Sequence, residues 1–232
     1  MTLVRKAGTI CLLLTGLLGC DDASKNAEKG NVEAESILVE RNEQVASVDA
    51  LMASMSLQQK VAQMIQGEIK HVTPEDVRRY GIGSVLNGGG SFPNQNKNAL
   101  LEDWVALADA YREASLDSSQ GSAGIPLLWG TDAVHGHNNV VGATIFPHNI
   151  GLGAANDPEL IGKIGRITSR EVAATGIDWI FAPTVAVPLD DRWGRTYEGY
   201  SDRPQIVAEY AGAIVEALQS EGLLATAKHF IG

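Results

Sequence analysis

The sequence predicts an α/β fold built on a parallel sheet, and three observations carry that. Apolar runs of strand length alternate with segments of helical periodicity, giving four strands and three connecting helices. Such alternation implies parallel strands joined by right-handed crossovers. The run Trp179 to Val187 is almost wholly apolar, as in a strand covered on both faces. The polar clusters each follow the carboxyl end of a predicted strand, where parallel α/β folds gather their ligand-binding groups. Pattern alone leaves two architectures open: a doubly wound sheet, or half of a (β/α)8 barrel.

At the N-terminus, Arg5 and Lys6 precede an apolar run, Ile10 to Leu18. It is short for a bilayer span and is flanked like a secretory signal. It ends Leu17-Leu18-Gly19-Cys20, which resembles a bacterial lipobox. That resemblance implies cleavage before Cys20, lipidation of Cys20, and a membrane-anchored place in the bacterial cell envelope. Asp21 resembles an inner-membrane retention signal, so periplasmic, outer-membrane and inner-membrane placements all stay open. Residues 1–19 are therefore expected as signal peptide. Residues 20–45 are polar and nearly free of aromatics, which predicts a flexible tether. Residues 46–232 form the globular part.

The net charge is −10. An acidic chain disfavours nucleic acid and suits a neutral ligand. The two cysteines, Cys11 and Cys20, lie outside the globular part, so neither a disulfide nor a thiolate metal site is expected.

In the globular part, Ser56-Leu57-Gln58-Gln59 is a capping-box pattern. Leu57, Val61, Met64 and Ile65 follow at helical spacing, predicting a short helix packed on the sheet's end. Thr73-Pro74-Glu75-Asp76 opens another. Ile82 to Asn87 is the first predicted strand. Gly88-Gly89-Gly90 lacks the Lys-Ser or Lys-Thr of a phosphate loop and is expected to be a backbone turn. Leu100, Trp104, Leu107, Ala108 and Tyr111 share one helix face, as core. Pro126 to Trp129 is the second strand. Asn156-Asp157-Pro158-Glu159 begins a helix with Leu160, Ile164, Ile167 and Val172 inward, stopped by Gly176. After the third strand, Trp179 to Val187, Pro204 opens a helix with Val207, Tyr210, Ala211, Ile214 and Leu218 inward. Leu223 to Ala227 is the fourth strand.

The second strand opens into Asp132-Ala133-Val134-His135-Gly136-His137-Asn138-Asn139, an acid, two histidines and two asparagines with no helical period. On residue types alone, several chemistries stay open. Asp132 could be a nucleophile, or a metal ligand with His135 and His137. A tetrahedral metal site, however, wants three or four ligands and a second shell. Arg195 could be a structural partner of Glu198 or Asp191. Trp193 could stack on a ligand face or simply pack. Asp190, Asp191 and Arg192 are expected to shape their loop, and His148 to be a satisfied core or loop histidine.

Together with Arg192-Trp193-Gly194-Arg195-x-Tyr197-Glu198 and Lys228-His229-Phe230, the Asp132 stretch resembles glycoside hydrolase family 3, the β-glucosidase and exo-β-glucanase family. The resemblance runs from about Met55 to Gly232. It implies the N-terminal half of a (β/α)8 barrel, cut after its fourth strand and left incomplete.

A retaining glycosidase needs two carboxyl groups across the scissile bond. The resemblance places both catalytic carboxyls beyond these residues, so no catalytic residue is expected here and the 232 residues alone should be inactive. What it carries over is substrate binding, by Asp132, Arg195, Lys228 and His229. His135, His137 and Trp193 are expected to support the substrate loop. The implied substrates are β-linked glucosides or oligosaccharides, cut from their non-reducing ends to release glucose, with no cofactor and no metal. Two other classes compete with this one. The first is a catalytically inactive sugar-binding lipoprotein. The second is a nucleotide-binding domain, for which a glycine-rich strand-to-helix turn is lacking.

Overall fold

The computed structural model describes residues 47–229. The signal peptide, Cys20, the tether and Phe230 lie outside the described residues. The chain divides into two units, Met1–Ser54 and Met55–Gly232. In the first, residues 47–54 form helix α1.

The second unit is the predicted α/β body. Strands β1 (Gln66–Glu68), β2 (Ser84–Asn87), β3 (Leu128–Thr131) and β4 (Trp179–Ile180) pair in parallel in the order 1-2-3-4. Helices α2 (Leu57–Gln63), α3 (Pro74–Tyr80), α4 (Leu101–Leu116), α5 (Asn149–Ala155), α6 (Pro158–Ala173) and α7 (Pro204–Gln219) lead into or connect them. Among the described residues the sheet is open.

Two strand assignments differ from expectation. β1 has no counterpart among the predicted strands: Gln66-Gly67-Glu68 has no apolar alternation, and its place comes from pairing with Ser84, Val85 and Leu86. The long apolar run after Asp178 gives only two residues of regular ladder. On its other side it pairs with Leu224–Lys228 through single bridges, Trp179 to Leu224 and Thr184 to Lys228. Backbone bonds continue between them, Ile180 N to Leu224 O at 2.8 Å and Lys228 N to Pro183 O at 3.0 Å. The predicted fourth strand is therefore present as a parallel strip beside β4, whose register shifts by one residue between the two bridges.

Helix starts follow the chemistry read from the sequence. Ser56 with Gln59, and Thr73 with Asp76, form reciprocal capping boxes. Asp157 caps α6 by accepting from Leu160 N at 2.9 Å. Proline stands in the first turn of α3, α6 and α7. Gly81 closes α3 in the left-handed region.

The layer between sheet and helices is aromatic. Trp104 and Tyr111 on α4 meet Trp129 on β3 with ring centroids 6.0 and 5.6 Å apart, and all three are buried. Trp129 Nε1 donates to Asn87 Oδ1 at 2.9 Å across the strand pair. Burying three such rings drives α4 onto the sheet more strongly than any hydrogen bond there. Leu100, expected on this face, instead precedes the helix as its N-cap residue and stays exposed.

Two predicted faces are corrected. Leu57, Val61, Met64 and Ile65 are exposed, and α2 is fixed mainly by Ala62 and by its C-terminal end. Gly83 N donates to Ala62 O at 3.1 Å, and Gln63 Nε2 to Gly81 O at 3.1 Å. On α6 the inward residues are Ile161, Ile164, Thr168 and Val172, while Leu160 and Ile167 are about two-fifths exposed. The rotation follows from α7. Gly165 lies where a Cβ would stand 2.7 Å from Ala217 Cβ, so the helices close on this small residue and the flanking apolar side chains turn outward.

Candidate functional site

The parallel sheet sends its strand ends to one rim, and the chain's polar motifs meet there. Asp132 follows β3 directly. Arg195 and Glu198 sit on the loop after β4, around a single 3-10 turn at Thr196–Glu198. Lys228 ends the strip paired with β4. Lys228 Nζ reaches Asp132 Oδ1 at 2.8 Å across 96 residues of chain. With Val134, His135, Asn149, Thr184, Arg195, Tyr197 and Glu198, these two residues line a cleft of about 530 Å³, part of it open solvent.

The loop after β3 is folded by its own polar groups. Asn139 Nδ2 donates to Thr131 Oγ1 at 3.1 Å, and Phe146 N to His135 O at 3.0 Å. Gly136 has φ 79°, and a Cβ there would strike the Thr144 carbonyl, so this turn requires glycine. Glu171 on α6 accepts from both Thr144 N and Thr144 Oγ1, tying down the far side of the loop.

The predicted histidines have separate fates. His135 lines the cleft, with its ring edge-on to His148 at 4.2 Å, and His148 in turn meets Tyr197 at 4.9 Å. Burial, then the neighbouring His148, holds His135 below the ordinary histidine range. His137 is fully buried and away from the cleft. Its Nε2 lies 3.1 Å from Thr175 Oγ1, whose own proton goes to Val172 O. Nε2 must therefore carry the hydrogen, and burial pushes His137 down to about 4. It supports the loop from behind. Among the described residues no group of histidine, cysteine and acid side chains is placed to hold a metal.

Arg195 is gripped from both sides. Its Nε and one terminal nitrogen reach the two Glu198 oxygens at 2.6 Å each, and the same terminal nitrogen lies 2.7 Å from His229 Nε2. The guanidinium holds Glu198 below the usual carboxylate range. Burial, followed by the charges of Arg195 and Lys228, holds His229 low. The loop carrying this pair rests on α5, where buried Asn149 donates through Nδ2 to Glu198 O at 2.7 Å.

The four expected binding residues thus come together, Asp132, Arg195 and Lys228 at the cleft wall and His229 beside Arg195. Trp193 does not line the cleft; its backbone bonds to Asp190 and Thr196 shape the loop. Asp190 and Arg192 pair with each other in that loop. Sequence reasoning missed Asn149, Thr184 and Tyr197 as cleft residues and took Glu198 only as an ion-pair partner. Tyr197 and Glu198 stood inside a quoted motif. Thr184 was hidden in a run read as apolar strand.

A family model for the glycosyl hydrolase family 3 N terminal domain matches residues 56–232. A lysosomal beta glucosidase of Dictyostelium discoideum is 30% identical over 210 residues, covering 80% of this chain and 25% of that protein. A periplasmic beta-glucosidase of Salmonella typhimurium is 30% identical over 196 residues, covering 80% of this chain and 23% of that one. The crystal structure of an exo-1,3/1,4-beta-glucanase from a Pseudoalteromonas species superposes with a TM-score of 0.77 at 55% identity, covering 81% of this chain and 24% of that chain. The chain spans about a quarter of the length of these relatives. Motifs, sheet and family model agree: over residues 56–232 the chain belongs to glycoside hydrolase family 3.

Proposed function

We propose that this chain forms the sugar-binding side of a retaining glycoside hydrolase that releases glucose from the non-reducing ends of β-glucosides or β-glucans. The observation that carries the reading is the cleft in which Asp132, Lys228 and Arg195 face one space of sugar size. An ionised carboxylate accepts two hydroxyl protons, and ammonium and guanidinium donate to hydroxyl oxygens. A pyranose offers adjacent hydroxyls that are donor and acceptor at once. Fixed charges around them hold the ring in one orientation, the part of catalysis that depends on placement.

The two carboxylates of the cleft are each paired with a cation, Asp132 with Lys228 and Glu198 with Arg195. Glu198 is held ionised, whereas a general acid needs its proton near neutral pH. The reading therefore assigns nucleophile and proton donor to other carboxylates, and residues 20–232 alone bind sugar without turning it over. The beta-glucosidase and beta-glucanase names of the relatives support the substrate class. Anchoring through lipidated Cys20 in the bacterial envelope belongs to the same proposal. Labelling with a radioactive fatty acid in the source cells, lost in Cys20→Ala, tests it.

Calorimetric titration of the chain with methyl β-D-glucoside, beside an assay with a chromogenic β-glucoside, tests the rest. Saturable binding without turnover is expected. Enzymatic turnover by this chain would return Asp132 and Glu198 to the catalytic candidates, and no binding at millimolar sugar would remove the sugar-binding reading.

A further inference from the structure

We infer that Glu198 is a positioning residue of this cleft: by holding Arg195 in a two-point grip, it fixes which ring nitrogen of His229 carries the proton. A guanidinium has only donors. The 2.7 Å contact from Arg195 to His229 Nε2 is therefore a hydrogen bond only if Nε2 offers a lone pair. That makes His229 neutral, with its hydrogen on Nδ1.

The donor inventory of Arg195 gives the same answer. Its Nε–H goes to Glu198 Oε1, and the two hydrogens of one terminal nitrogen go to Glu198 Oε2 and His229 Nε2. The other terminal nitrogen has no protein partner among the described residues and keeps two donors for a ligand. Were the Glu198 grip lost, the guanidinium could rotate about its long side chain, and among the described residues nothing else would hold a donor at Nε2. Glu198 itself is kept in place from behind, through the Asn149 bond to its carbonyl.

The charges facing His229 are Arg195, Lys228, Glu198 and Asp132. The two cations disfavour the imidazolium and the two anions favour it. Glu198 Oε2 lies 3.8 Å from His229 Nε2, too far for the hydrogen bond it would make to a protonated ring. The geometry is that of the neutral tautomer. Glu198 thus sets two things at once, the direction of the free Arg195 donors and the polarity of the His229 ring. The consequence for sugar rests on the function proposed above; the consequence for His229 does not.

The test is ¹⁵N NMR of the chain labelled at histidine, read without ligand at pH 7. The His229 signals are assigned by their loss in His229→Gln. Wild type is expected to show an unprotonated Nε2 and a protonated Nδ1. In Glu198→Gln the carboxylate grip becomes one acceptor and one clashing donor, and His229 is expected to move toward the Nε2–H form that free imidazole side chains favour. Methyl β-D-glucoside binding should weaken about tenfold or more, the scale of one lost hydrogen bond to a charged group. A wild-type His229 that is protonated, or carries its hydrogen on Nε2, overturns the inference without any variant. So does a tautomer unchanged in folded Glu198→Gln. If the tautomer shifts as expected and neither protein binds sugar, the role of Glu198 stands and the proposed function falls.

Discussion

Lowering the pH from 7 to 5 asks His137 to accept a proton where there is no room for its charge. The ring is fully buried against the edge of Trp104, its Nε2–H is committed to Thr175, and burial alone depresses it from 6.5 to about 4. Because the folded value lies below the unfolded one, the unfolded chain binds more protons between them, and stability rises with pH across that window. The contribution is fully present above 6.5 and is lost as pH falls toward the folded value. From the two values the loss is about 2 kcal/mol between pH 7 and pH 5, and about 3 kcal/mol by pH 4. Other groups titrate in the same range. Burial raises Asp178, which works in the opposite direction, and Glu198 is depressed by Arg195. A variant is therefore needed as a reference. His137→Gln keeps a donor for Thr175 and removes the titration. Urea unfolding of both proteins at pH 7 and pH 5 gives a difference of differences, expected at about 2 kcal/mol in favour of the variant at low pH. Equal pH dependence in the two proteins would refute the argument, because it would mean that His137 gains its proton as easily folded as unfolded.

Tyr210→Phe should destabilise by about 1–3 kcal/mol in urea unfolding, because its hydroxyl accepts from Asp157 N at 2.7 Å and donates to the carbonyl of buried Leu152 at 3.3 Å, and the substitution leaves both without this partner. Gly153→Ala should cost about 1–3 kcal/mol in thermal unfolding, since the new methyl would enter the Tyr200 carbonyl and push the Arg195 loop from its seat on α5. Asp132→Asn should weaken methyl β-D-glucoside binding about tenfold, read by calorimetry, while changing stability by less than about 1 kcal/mol, because the Asp132 side chain is 48% exposed.

The sequence made legible what local chemistry decides. The capping box at Ser56, the helix start at Thr73-Pro74, the aromatic face of α4 and the parallel order of the strands all follow from spacing and residue type. What it hid was decided elsewhere in the chain. Gln66-Gly67-Glu68 is a strand only because β2 offers it an edge. The inward face of α6 is set by how closely α7 approaches Gly165, which α6 alone does not encode. The same division holds at the cleft. Asp132, Arg195, Lys228 and His229 stood in motifs, and the fold brings them close together. Asn149 and Thr184 joined them through tertiary placement. His137 shares its motif with Asp132, yet its side chain turns into the core, a difference that the one-residue neighbourhood does not reveal.

The assembly of the cleft depends on register more than on any single bond. Asp132 and Lys228 belong to chain segments separated by β4, and each is positioned against that segment. Phe181 N donates to Thr131 O on one side, and Lys228 N to Pro183 O on the other. In extended chain, successive side chains point to opposite faces, so a slip of one residue on either side would turn Lys228 or Asp132 away from the cleft. The 2.8 Å ion pair between them is thus a consequence of correct pairing rather than its cause. With one partner half exposed, the pair contributes about 1 kcal/mol at most, too little to select a register against an apolar core. The core residues Ile180, Ala182 and Trp129 make that selection. The chemistry at the rim inherits its geometry from packing several residues below it, so changes in this apolar layer should disturb ligand binding as surely as changes in the cleft.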